Sequence, residues 1–136
     1  MKHVVFAAAL SVICGAAALP SIATTTSNLA PADRYFGRLH MSILGIRNSL
    51  TDLAARADAH PEEAEHIFDK AVLVEDSLMN WASQFPRDPW IPKFTFTLAQ
   101  LYGKLDLDDA RNRRILMLDW LSGTYPESQY AQLPRM

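Results

Sequence analysis

Large apolar residues recur at alternating spacings of three and four along two neighbouring stretches of this 136-residue chain. The first stripe is Phe36, Leu39, Ile43, Ile46, Leu50, Leu53 and Ala57. The second is Ala64, Ile67, Ala71, Val74, Leu78, Trp81 and Phe85. Such spacing lines one face of a helix, whereas a half-buried strand needs alternation with period two. Only Asp58-Ala59-His60 separates the stripes before Pro61, a residue suited to the first turn of a helix. Glu62, Glu63 and Glu65 then place negative charge at the positive end of that helix. The pattern predicts helices over about 32–59 and 61–85, and so short a link forces them antiparallel with their stripes facing. The pairing matters because an isolated helix is marginal in water, while each large apolar side chain it buries contributes about 1.5–3 kcal/mol.

The segment Pro86-Arg87-Asp88-Pro89-Trp90-Ile91-Pro92 holds three prolines in seven residues and reads as a connector. Trp90 and Ile91 are expected to pin it to the core. A third helix is predicted over about 92–104, with Phe94, Leu98, Leu101 and Leu105 on one side and Tyr102 alongside. Asp106 or Asp108 can cap a fourth, over about 107–123. Ile115, Leu116, Met117, Leu118, Trp120 and Leu121 make that helix the most apolar stretch outside the N-terminal segment. It is therefore expected to be the most buried, with Trp81 and Trp120 as core residues. The chain beyond Tyr125-Pro126 is polar and short, and is expected to be loosely held. The fold class expected is all-α: two antiparallel helical hairpins in a compact bundle or a repeat-like stack, forming a domain over 32–131 with a tail at 132–136.

The N-terminal segment reads as an address. Lys2 and His3 precede an apolar run from Val4 to Leu19, Pro20 ends it, and Ser21-Ile22-Ala23 offers the small residues of a cleavage site. The run spans 16 residues, against about 20 for a membrane-crossing helix, so a signal peptide over 1–23 is preferred to a retained anchor. Residues 24–31 form a polar, flexible lead. Cys14, the single cysteine, lies inside this segment behind Ile13, which does not suit a lipid-modified cysteine. After cleavage near Ala23 no disulfide, thiol nucleophile or cysteine metal site is available. A cysteine-free exported domain suits a bacterial periplasm, or secretion from a bacterium, better than an animal secretion route. The mature chain would hold 12 basic and 15 acidic residues, a charge of −3. That balance argues against nucleic acid as a partner, and nothing after Leu29 is apolar for long enough to span a membrane.

Leu98-Ala99, Tyr102, Ala110 and Met117, followed by Tyr125-Pro126-Glu127-Ser128-Gln129-Tyr130-Ala131, give residues 92–131 a further signature. This stretch resembles a single tetratricopeptide-type helical hairpin of bacterial envelope proteins. Its 40 residues match the length of a helix-pair repeat. Thr95 stands where a large apolar residue is usual, and the first two helices are too long for the repeat. The resemblance implies binding of a protein or peptide and no catalysis, and it brings no site residue with it.

Motifs for chemistry are sparse. His40, His60 and His66 lack the i, i+4 spacing of a helical metal pair, although His60 and His66 could meet Glu63 or Asp69 in space. His40, beside the apolar seam, is expected to be partly buried. Glu62-Glu63 and Asp108-Asp109 are accounted for by helix starts. There is no phosphate-binding glycine loop, dinucleotide fingerprint, zinc-protease motif or nucleophile elbow. No cofactor or metal is assigned and an enzyme is not expected. The candidates for partner contact are Trp90, between two prolines, and the basic cluster Arg111, Arg113 and Arg114, because Trp and Arg are enriched at binding hot spots. The expected function is an envelope module that binds a protein or peptide. The alternatives are a ligand- or metal-carrying bundle and an envelope chaperone or stress-sensor domain. Leu50-Thr51-Asp52-Leu53 lacks the glutamine of the L-T-x-x-Q phrase typical of the latter.

Overall fold

The computed structural model describes residues 28–135. The expected signal segment 1–23 and the first half of the lead, 24–27, lie outside them. Four helices follow a short hairpin: α1 (Ile43–Ala59), α2 (Ala64–Gln84), α3 (Ile91–Lys104) and α4 (Asp108–Thr124). A 3-10 turn over Pro61–Glu63 joins α1 to α2. The all-α architecture of two helical hairpins is present, and the second, third and fourth helices match their expected spans to within a few residues. α3 packs against α1, α2 and α4, whereas α4 packs chiefly on α3. The core therefore centres on α3, with Ile91, Leu98 and Tyr102 fully buried against Ile46 and Leu50 of α1 and Ile67, Leu78 and Trp81 of α2. No helix among the described residues is long and apolar enough to cross a membrane.

The first helix corrects the expected span of 32–59. It starts at Ile43, and the preceding residues form two short antiparallel strands, β1 (Tyr35–Phe36) and β2 (Met41–Ser42), with Tyr35 opposite Ser42 and Phe36 opposite Met41. Helix α2 supplies the reason. The Asn80 side-chain carbonyl accepts the Gly37 N–H at 3.1 Å, and the Asp76 carboxylate accepts the Arg38 N–H at 2.8 Å. These donors, which a helix would consume internally, are met by tertiary partners instead. Ser42 then caps α1 by accepting the Gly45 N–H at 3.0 Å. Phe36 still reaches the core, but from a strand, where it stacks on Trp81 and meets the edge of Phe85. Leu39, counted in the helical stripe, is 53% exposed. His40 is exposed rather than partly buried, and turns the loop with φ of 48°.

Helix α4 is also corrected. Ala110, Met117, Leu118 and Leu121 are buried, but Ile115 and Leu116 are more than half exposed and Trp120 is only half-buried. α1, α2 and α3 pack on one another and α4 lies outermost on α3, which leaves Ile115 and Leu116 on its outer side exposed. The expected loose tail is held at two points. Tyr130 packs on Phe96, and Arg135 bonds to Asp119 and to the Ser122 hydroxyl.

A polar cluster fastens α2, α3 and α4. The Tyr102 hydroxyl donates to Glu75 at 2.6 Å, and Arg113 donates to the other oxygen of that carboxylate at 2.7 Å. Burial pushes the Tyr102 hydroxyl above its ordinary value of 10.0, and the Glu75 hydrogen bond and charge push the same way against a smaller opposing effect of Arg113. The folded chain thus holds this proton more tightly than the unfolded chain does. The stabilisation is complete below the unfolded value and is lost as the pH rises beyond it. Urea unfolding above pH 10 is expected to show a decline of about 1.4 kcal/mol per pH unit from this group. Tyr102→Phe should flatten that part of the profile.

Candidate binding site

Asp88 organises the region around the proline-rich connector. It is 1% exposed and has no cationic partner within ion-pair distance among the described residues. Its carboxylate instead accepts three N–H donors: Ala30 backbone at 2.9 Å, the Trp81 indole at 3.2 Å, and Trp90 backbone at 3.1 Å. Its own carbonyl accepts the Ile91 N–H, starting α3. A buried carboxylate without such donors would be costly. Here it ties the end of the lead, α2 and the start of α3 together. The sequence carried a signal for this turn, because Asp before Pro favours turn initiation. Nothing local showed that the donors come from Ala30 and Trp81.

Above this tie lies an open cleft of about 370 Å3 between α1, the lead and the start of α3. Leu29, Ala30, Ile43, Leu44, Trp90 and Phe94 supply its apolar walls, and Arg47 and Asp88 also line it. Trp90 is 49% exposed, so it does not pin the connector; the fully buried Ile91 does. Its ring stacks on Phe94 at 6.3 Å between centroids, and the Lys93 ammonium lies 5.3 Å from the ring centre. Leu44, one position off the stripe, is 55% exposed beside it. Leu29, Leu44 and Arg47 were not among the sequence candidates. Leu44 and Arg47 fall off the core-facing positions of α1, and nothing in the chain indicates that α3 brings Trp90 to them.

The three arginines lie elsewhere and do not join Trp90 at the cleft. Arg111 is exposed and paired with Asp108 at 2.5 Å and Asp106 at 3.5 Å. Its guanidinium is held above its ordinary value, chiefly by the Asp108 hydrogen bond. Arg113 binds Glu75 and faces the Phe68 ring, and so serves the contact between helices. Arg114 lies along Gly103 of α3, and with Arg111, Ile115, Leu118 and Arg135 borders a second, smaller depression.

The one histidine-containing group with metal-like proximity among the described residues is His60, Glu62 and Glu63, whose ligand atoms lie within 4.8 Å. His66 is not part of it. Glu63 is bound by Arg56, and His60 Nδ1 sits 3.2 Å from Glu62. The Glu62 carboxyl is held below its ordinary value, first by a backbone hydrogen bond and then by His60. Ion pairing and the helix start account for the group without a metal.

Comparison with known protein families, characterised proteins and solved structures finds no match to this chain.

Proposed function

We propose that this chain is a small exported helical protein that binds a protein or peptide in the bacterial envelope and carries out no catalysis. The observation that carries the reading is the half-exposed Trp90 set over the apolar cleft between α1 and α3. A large aromatic ring held on a firm base, with apolar neighbours and solvent access, is the usual form of an interface anchor. Trp90 stands on such a base, because Asp88 fixes its backbone N–H and Phe94 supports its ring. The leader pattern over 1–23 supports export. The absence of nucleophile and acid–base motifs from the full sequence supports binding over catalysis.

Co-purification from the native envelope tests this. The wild-type chain is expected to be recovered beginning at Thr24, with a partner identified by mass spectrometry. Trp90→Ala should lose that partner while shifting stability by less than about 1.5 kcal/mol, since the ring is half in solvent already. Unchanged recovery with the variant would overturn the assignment of the cleft.

A further inference from the structure

Resting on that assignment of the cleft, we infer that its ligand is an acidic peptide segment, in which a large apolar side chain enters the cleft and neighbouring carboxylates meet Arg47 at its wall and Lys93 beside Trp90. The charges at the site give the sign. Arg47 lines the cleft and is exposed, and no carboxylate lies within ion-pair distance of it among the described residues. Lys93, also exposed, has the Trp90 face as its neighbour and likewise has no carboxylate partner there. Most other cations of the domain are already engaged. Arg34 bonds to Gln84, Arg38 pairs with Asp76, Arg56 with Glu63, Lys104 with Asp58, Arg111 with Asp108, Arg113 with Glu75 and Arg135 with Asp119. The cleft thus combines apolar walls with one uncommitted cation, Arg47, and a second, Lys93, stands beside it against the Trp90 ring. The one carboxylate that lines it, Asp88, is turned inward on three N–H donors.

Shape narrows the occupant. About 370 Å3 lies near the lower end of the roughly 300–1,000 Å3 typical of ligand sites, which suits one large side chain and its flanking backbone. The cleft opens to solvent, so it lacks the enclosed tunnel that would shield a long acyl chain. Its concavity also leaves a flat lipid surface without contact at its floor. A carboxylate at Arg47, or one further along the segment at Lys93, would gain charge-assisted hydrogen bonds, and an aromatic or leucine anchor would cover the exposed parts of Trp90 and Leu44.

The test is selection of a random heptapeptide library displayed on phage, with the wild-type protein and Trp90→Ala as parallel baits. Trp90-dependent enrichment of Asp or Glu next to a large apolar residue is expected. The enriched peptide is then synthesised with its acids intact or changed to Lys, and both forms are titrated by fluorescence anisotropy. With Arg47→Glu/Lys93→Glu, affinity for the acidic form should fall about tenfold or more and affinity for the basic form should rise. Both positions are exposed, and the single variants and Arg47→Gln repeat the measurement should the double variant melt early. Trp90-dependent binding without acid preference, or without response to charge reversal, overturns this inference and leaves the cleft as the binding site. Equal enrichment on Trp90→Ala, or no enrichment, overturns both. Charge-dependent sedimentation with phosphatidylglycerol vesicles, with no peptide selected, would assign the face to a membrane and also overturn the inference.

Discussion

Trp81→Ala is expected to cost about 3–5 kcal/mol of folding stability, against a total of about 5–15 kcal/mol for a domain of this kind. Trp81 is fully buried in α2 and touches both parts of the structure that the helical stripe does not organise. Its ring stacks on Phe36 of the hairpin at 5.8 Å and packs on Phe94 of α3 at 5.8 Å. Its indole N–H donates to Asp88, the carboxylate that ties the lead to the start of α3. Truncation opens a cavity between those elements and removes one of the three donors from a buried carboxylate. Trp81→Phe separates the two effects. It keeps most of the ring contact and loses the N–H, and should cost about 1–3 kcal/mol. Urea unfolding followed by far-ultraviolet circular dichroism measures both. A loss below 1 kcal/mol for the alanine variant would mean that the Phe36–Trp81–Phe94 cluster does not hold the domain together.

Gly37→Ala is the second large effect, expected at roughly 2–4 kcal/mol from backbone strain and overpacking together. Gly37 has φ of +67°, a conformation that side chains with a Cβ rarely adopt. Space is a separate obstacle. A Cβ there would lie 2.6 Å from the Ser77 Cα and 2.8 Å from the Ser77 backbone nitrogen, on a helix that cannot yield locally. The hairpin would have to lift from α2, taking with it the Gly37–Asn80 and Arg38–Asp76 bonds and the Phe36 ring. Alanine also favours the competing helical conformation by about 1 kcal/mol over glycine, so circular dichroism reads the variant as well as stability does: helix content should not fall in proportion to the stability lost. Gly123→Ala is the internal control. A Cβ at that position in α4 meets nothing within 4 Å, so the change should be neutral or stabilising by up to about 1 kcal/mol.

The hairpin shows where sequence patterning stops. Phe36 and Leu39 continue the spacing of Ile43, Ile46 and Leu50, and any test of periodicity extends the helix through them. Gly37, a helix breaker, and Ser42, a capping residue, are local features against that extension which periodicity does not register. The deciding partners, Asn80 and Asp76, lie some forty positions further along the chain. Helix α4 shows the complementary limit. Its six apolar residues from Ile115 to Leu121 form a locally apolar run, but such a run does not tell which helix lies outermost. Trp90 was legible as a contact candidate because the prolines around it keep it out of a helix interior. Arg113 was legible only as a charge, since its engagement depends on Glu75 on another helix.

The amino-acid order by itself determined the helical class, the antiparallel first pair and the bounds of three of the four helices. Those features rest on spacing, prolines and short links, all of which act over a few residues. Tertiary structure alone decided that residues 35–42 form a hairpin, that Asp88 is a buried tie, and that Leu44, Arg47 and Trp90 share one cleft. Each of these depends on donors, acceptors or surfaces brought together from distant parts of the chain. Their energies exist only after the helices have packed, so no local pattern encodes them.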